Sequence, residues 1–229
     1  MTPTRSPRGL LFDLDGTLID AAPDIAAALA EVLTALGRTP LDEAVVRRMV
    51  GHGIARLVAD AMAVTGAALD GAALDHAVAL MADAYAARLT ERTVALAGAA
   101  ALLADCAARG IALACVTNKP GAMAEAILRH LGLMPPISLV IGGDSGMARK
   151  PSPEPLLAAV AALGLRAKDV WMVGDGLPDM AAASAAGITR IAIPSDYGER
   201  FDPADHDACA CADLAALQAL IARLGAAAA

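Results

Sequence analysis

The sequence predicts an α/β fold: a Rossmann-like three-layer core with a parallel sheet between two helical layers, plus an inserted α-helical block. Three observations carry that prediction. From residue 99 onward, short apolar runs alternate with amphipathic helical stretches, the pattern of a parallel sheet covered on both faces. Between residues 20 and 92 no strand pattern occurs at all, so a helical block interrupts the alternation directly after the first strand. Chemistry-bearing polar residues gather just beyond the apolar runs, at the strand ends where open parallel sheets bind ligands.

The elements follow in order. Gly9-Leu10-Leu11-Phe12 is a short buried strand, bounded by Pro7 and Gly16. Residues 20–37 carry Ile25, Leu29, Val32, Leu33 and Leu36 at helical spacing and stop at Gly37. Amphipathic pieces over residues 42–50, 52–63 and 74–89 complete the helical block, with hinges expected near residues 17–21 and 92–98. Residues 99–109 form a helix closed by Gly110, and residues 111–116 a strand. The alternation continues through a helix at 121–131, a strand at 137–141, a helix at 155–163, a strand at 170–173 and a helix ending at Ala186. A strand at 188–193 and a last helix at 214–224 close it. The expected division is a core of residues 1–17 and 93–229 and a helical cap domain of residues 18–92.

Composition narrows the function. The chain has 229 residues, 57 % hydrophobic but only 2 % aromatic, so its core packs Ala, Leu, Val and Ile. A mean hydropathy of +0.55 raises the question of a membrane, yet the longest apolar candidate, Val94 to Ala104, falls well short of the roughly 20 residues a span needs. No membrane association is expected. Residues 1–8 lack an apolar core region, are not a secretory signal, and read as a frayed tail. The four cysteines form no CxxC pair and are expected as reduced structural thiols in a cytoplasmic protein. Net charge is −7 with no basic cluster, which argues against nucleic-acid binding. An acidic protein handling an anionic substrate needs a local positive source, so a metal site and a buried lysine are the features to find.

Four strand ends carry chemistry. The first delivers Asp13 and Asp15, whose spacing puts two carboxylates on one side of an extended chain, where they repel unless a positive group lies beside them. Gly16 permits a sharp turn and Thr17 offers a hydroxyl. The second ends in Thr117-Asn118-Lys119 ahead of a helix N-terminus suited to an anion. Lys150 precedes a proline-rich stretch that fixes its backbone, and the strand at 170–173 runs into Gly174-Asp175-Gly176-Leu177-Pro178-Asp179. Any one of these also fits a plain cap or turn; all four at strand ends of one sheet do not arise easily by chance.

Phe12-Asp13-Leu14-Asp15-Gly16-Thr17-Leu18 closely resembles the first motif of the haloacid dehalogenase superfamily in its phosphatase form, and the other three segments match the remaining motifs in order and spacing. Within that superfamily, Val116-Thr117-Asn118-Lys119-Pro120, Val140-Ile141-Gly142-Gly143-Asp144, Lys150-Pro151-Ser152-Pro153-Glu154-Pro155-Leu156 and Val50-Gly51-His52-Gly53 look most like phosphoglycolate phosphatases. The resemblance implies Asp13 as nucleophile, Asp15 as general acid and base, Thr117 and Lys150 as phosphate ligands with Asn118 beside them, and Asp175 and Asp179 as the last acidic pair. It implies Mg²⁺ held by Asp13, Asp175, Asp179 and the backbone carbonyl of Asp15. His52 and Arg56, four apart on a cap helix, are the candidates to meet a substrate carboxylate. Two departures stand out: Gly176 replaces a small hydroxyl residue, and Ala97 replaces a proline before Gly98, which loosens the hinge.

The implied activity is Mg²⁺-dependent hydrolysis of a small phosphate monoester, 2-phosphoglycolate first, by a monomer or homodimer acting on a small phosphorylated metabolite. A sugar-phosphate phosphatase or phosphomutase is the alternative within the superfamily. A non-catalytic binding or regulatory module is the alternative outside it, although every catalytic position is filled. A phosphonatase would want a cap lysine, and residues 20–92 contain none.

Overall fold

Leu10, Leu11 and Phe12 of the first strand are fully buried, and the sheet grows outward from them on both sides. In the computed structural model, which describes residues 3–226, β1 (Gly9–Phe12) lies between β4 (Ala112–Val116) and β6 (Val170–Gly174), paired in parallel with both. β5 (Leu139–Ile141) extends one side, and β7 (Thr189–Ala192) and β8 (Cys209–Ala210) the other, giving the parallel order β5-β4-β1-β6-β7-β8. The chain leaves β1 for one side of it and later returns to the other, so the strand order reverses at its carboxyl end.

Alternation along the strands makes the three layers. Leu10, Phe12, Leu113, Cys115, Trp171 and Val173 face α5 (Ala99–Ala108), α6 (Gly121–His130) and α9 (Leu214–Ala226). Leu11, Ala114, Val116 and Met172 face α7 (Glu154–Ala162) and α8 (Leu177–Ala185). Six parallel strands covered by helices on both faces bear out the predicted fold class.

Between residues 20 and 93 lie four helices: α1 (Ala22–Ala35), α2 (Glu43–Met49), α3 (Ile54–Thr65) and α4 (Gly71–Ala86). Their apolar faces close on one another through Ile25, Leu29, Val46, Val58, Met62 and Met81. Both crossings between sheet and helices are tied. β2 (Ile19–Asp20) pairs antiparallel with β3 (Val94–Ala95), and Leu96 N–H donates to Leu18 O at 2.9 Å, so the backbone on either side of Ala97 is held. The fully buried Asp24 carboxylate accepts from the Arg92 N–H, the Thr93 N–H and the Thr93 hydroxyl, fixing the exit of α4 to the start of α1.

The expected frayed tail is corrected in part. Residues 1 and 2 lie outside the described residues, but Pro7 is buried and Arg8 N–H donates to Asp169 O, continuing the β1–β6 ladder by one step. All four cysteines are free thiols. Among the described residues, no helix is long and apolar enough to cross a membrane.

Candidate active site

The register of the central strands assembles the site. Phe12 pairs with Cys115 on one side and Val173 on the other, so the residues that follow each strand emerge side by side. Asp13, Thr117 and Asp175 are all buried there, with Lys150 and Asp179 beneath them. Lys150 Nζ donates to Asp13 Oδ1 and Asp179 Oδ1 at 2.7 Å each and to Val116 O at 2.6 Å. Despite burial, these partners keep the ammonium charged and raise its pKa.

Asp13, Asp175 and Asp179 present carboxylate oxygens that all lie within 4.8 Å of one another. Burial, with Asp13 and Asp179 close by, holds the Asp175 carboxyl well above the usual carboxylate range. Burial also lifts Asp179 to about 6, with Lys150 pulling the other way. Lys150 reaches only two of these three carboxylates, and this crowding fits a divalent cation with oxygen ligands. Close approach of backbone enforces it: Gly16 has φ +84°, and a Cβ there would stand 2.2 Å from Asp175 Oδ2. A Cβ on Gly174 would stand 2.4 Å from Asp179 Oδ2.

The side chain of Asp15 points elsewhere. Its two oxygens accept from Lys119 Nζ at 2.8 and 2.7 Å, and it stands outside the carboxylate group formed by Asp13, Asp175 and Asp179. Burial raises the Asp15 carboxyl, and Lys119 opposes the rise. Lys119 is itself buried and lies over the ring of Tyr85 from α4, 4.9 Å from its centroid.

Other expected residues are engaged in less direct ways. Asn118 lies at the site, but its amide donates to Gly51 O at 2.9 Å and Lys150 O at 3.0 Å, tying the turn before α3 to the lysine loop. Only its backbone N–H remains to meet an anion. Thr117 Oγ1 accepts from Lys119 N–H at 3.2 Å. Gly176 replaces a side-chain hydroxyl with its backbone N–H, which donates to Asp179 Oδ2 at 3.1 Å. His52 and Arg56 are exposed and line a cleft of about 210 Å³ that reaches in to Asp13, Asp15 and Asp175. Arg56 is paired with Asp60 at 2.8 Å along its own helix.

Four residues at the site escaped the sequence reading as functional. Thr17 Oγ1 donates to Asp175 Oδ1 at 2.7 Å across 158 residues. Lys119 was visible only as part of its motif. Tyr85 and Tyr197 are the only two tyrosines in the chain, and both border the site; that scarcity was the available signal. Tyr197 Oη accepts from the N–H groups of Ala21 and Ala22 and donates to Asp20 Oδ1, which Arg47 holds from the other side. Burial would raise the Asp20 carboxyl, but Tyr197 and Arg47 outweigh it and hold it low.

Comparison with known proteins agrees with this geometry. A family model for haloacid dehalogenase-like hydrolases matches residues 7–187. The chain is 43 % identical over 195 residues to a phosphoglycolate phosphatase of Rhodospirillum rubrum, covering 83 % of this chain and 81 % of that one. It is 34 % identical over 219 residues to a phosphoglycolate phosphatase of Yersinia pseudotuberculosis, covering 95 % and 94 %. A crystal structure of a predicted phosphoglycolate phosphatase from Haemophilus somnus 129PT superposes with a TM-score of 0.85 at 26 % identity, over 93 % of this chain and 97 % of that one. With its motifs at the ends of the central strands and a match that spans most of its length, the chain belongs to the haloacid dehalogenase-like hydrolase family.

Proposed function

We propose that this hydrolase is a Mg²⁺-dependent phosphatase that converts 2-phosphoglycolate to glycolate and phosphate through an aspartyl-phosphate on Asp13. The chain is a phosphoric monoester hydrolase; the metal, the intermediate and the substrate are the finer parts of the reading. The observation that carries it is the arrangement around Asp13, which lies between Lys150 and the acidic pair while Asp15 is turned away toward Lys119. On this reading one carboxylate attacks and a second moves protons.

A divalent cation held by Asp13, Asp175 and Asp179 would supply charge neutralisation for a phosphate dianion and for the carboxylates around it. The Thr117 hydroxyl binds a phosphoryl oxygen, and Lys150, whose three N–H groups meet Asp13, Asp179 and Val116 O, supplies positive charge beside the phosphate. A carboxylate oxygen of Asp13 forms a bond to phosphorus as the ester P–O bond breaks, and Asp15, its carboxyl raised by burial and protonated in the substrate complex, gives that proton to the departing alkoxide. Asp15 then takes a proton from water as that water attacks the acyl phosphate, releasing phosphate and restoring the Asp13 carboxylate. We read residues 18–92 as a cap domain that walls off this chemistry from bulk water. The four free thiols suit a cytoplasmic setting among small phosphorylated metabolites.

Release of inorganic phosphate from a panel of esters tests the reading. We expect turnover that requires Mg²⁺, stops in excess chelator, and favours 2-phosphoglycolate over hexose phosphates. Full activity in chelator would overturn the metal reading, and a preference for hexose phosphates would overturn the substrate while leaving the phosphatase in place.

A further inference from the structure

Beside Asp13 and Asp15 a second space opens, distinct from the cleft that His52 and Arg56 line. It lies beneath the helical block and holds about 40 Å³ for the centres of water-sized groups. At roughly 10–15 Å³ per water this is room for about three such groups, enough for a two-carbon acid fragment and too little for a hexose. Ile25, Ile54, Leu57 and Met81 make its walls apolar. The only cationic side chain on its lining is Lys119.

Two polar groups facing this space have unused hydrogen-bonding capacity. Among the described residues, Lys119 Nζ donates hydrogen bonds to the two oxygens of Asp15, and its third N–H has only Tyr85 beside it, to be shared with a ligand. Among the described residues the buried Tyr85 hydroxyl makes no hydrogen bond of ordinary geometry, the Lys119 ammonium being its polar neighbour. A buried hydroxyl without a partner is costly, so a native core keeps one for a reason. Burial pushes this hydroxyl up to about 12, with Lys119 opposing, so it remains an O–H donor at neutral pH. An ammonium N–H and a phenol O–H thus converge on a small apolar chamber next to the reacting aspartates. A carboxylate is the group that accepts from both and supplies the charge that such a chamber otherwise excludes.

We propose that Lys119 and Tyr85 form the leaving-group subsite of this enzyme, binding the carboxylate of a short phosphorylated acid and setting its preference over uncharged esters. The proposal rests on the phosphatase reading above and names the residues that select its substrate. It moves that selection from the exposed Arg56, already paired with Asp60, to an enclosed pair contributed by the core and α4.

The test compares two esters of similar size, 2-phosphoglycolate and 2-hydroxyethyl phosphate, in Mg²⁺ buffer. Lys119→Met is expected to lower kcat/KM for 2-phosphoglycolate about 10- to 100-fold more than for 2-hydroxyethyl phosphate. Loss of Asp15 support alone would slow both esters by the same factor. Tyr85→Phe removes one oxygen and keeps the ring, and is expected to lower kcat/KM for 2-phosphoglycolate about 3- to 10-fold more than for 2-hydroxyethyl phosphate. If Lys119→Met fails to fold, as judged by its circular dichroism, Tyr85→Phe decides alone. Equal losses on both esters would overturn the subsite and leave Lys119 as a residue that only positions Asp15. A wild-type enzyme that does not distinguish the two esters would sink the phosphoglycolate reading itself, a failure visible before any variant is made.

Discussion

Replacing Lys150 with Met is the most informative single perturbation of the folded state. The ammonium is 3 % exposed and makes three short hydrogen bonds, two to carboxylates and one to a backbone carbonyl. Charge-assisted bonds contribute about 1.5–3 kcal/mol each, so the gross loss from the two carboxylates is about 3–6 kcal/mol. The loss has a ceiling, because a stranded carboxylate takes up a proton instead of staying charged. At pH 7, protonating a group with a reference pKa near 3.9 costs about 4 kcal/mol. The expected penalty in chelator is therefore about 3–5 kcal/mol, in the range for breaking a buried ion pair from one side. Its sign with pH follows. Carboxyls raised in the folded variant bind protons there that the unfolded chain has lost, so the variant falls further below wild type as pH rises. Between pH 7 and pH 5 the penalty should shrink by about 1.4 kcal/mol per unit for each carboxylate that protonates. Urea unfolding followed by the fluorescence of Trp171, the single tryptophan and buried on β6, measures it. A penalty below about 1 kcal/mol, or one flat between pH 5 and 7, would mean that Lys150 is not the counter-charge of this cluster.

Two further outcomes follow from the site. Asp13→Asn should abolish turnover and any acid-stable phosphoenzyme, whereas Asp15→Asn should leave the nucleophile in place and slow both steps by roughly 10²–10⁴-fold; near-normal turnover by Asp13→Asn would place the nucleophile elsewhere. The second concerns metal and pH. Asp175 and Asp179 are raised in the fold, Asp179 to about 6, so the metal-free protein loses their contribution to stability as pH rises from about 4 through that value, and a dication restores it by displacing their protons. The gain in Tm from excess Mg²⁺ over chelator should accordingly be small at pH 5 and larger at pH 7.5, and a gain independent of pH would put the cation at a different site.

Much of the fold was legible because its signals are local. The apolar runs of β1, β4 and β6 and the helical stripes of α1 and α3 can be read within a dozen residues, and the observed bounds differ from the expected ones by a few positions at most. The motif residues were legible too, since Asp13, Thr117 and Asp175 each follow a readable strand. What the sequence withheld was partnership across distance. The Lys119–Asp15 pair spans 104 residues, the Thr17–Asp175 bond 158 and the Tyr197–Asp20 bond 177, and periodicity contains neither strand order nor register. The pair His52 and Arg56 shows a different limit, since the expected helix does not hold both. Only Arg56 lies on α3, His52 standing before its N-cap Gly53, and the apolar stripe of Leu57, Val58, Ala61 and Met62 takes the inward side of that helix, so Arg56 continues outward to Asp60.

The charge arrangement explains why these elements belong to one site. Asp13, Asp15, Asp175 and Asp179 are four carboxylates removed from water, and Lys119 and Lys150 are the two ammoniums that meet them. The deficit is two positive charges, the charge of one divalent cation. It is not spread evenly. Lys119 matches Asp15, so that pair is neutral and faces the apolar chamber; Lys150 alone serves Asp13 and Asp179, with Asp175 held only by neutral donors such as the Thr17 hydroxyl. The unmet charge therefore lies entirely on the Asp175 side, away from the leaving-group side. Relaxation is blocked there, because Gly16 and Gly174 bring backbone so close to Asp175 and Asp179 that not even a methyl group fits. Like charges pressed together by the sheet, with no room to part, are stable as carboxylates only around a cation. On the proposed reading, phosphate chemistry would lie on the cation side of Asp13 and choice of the departing acid on the other.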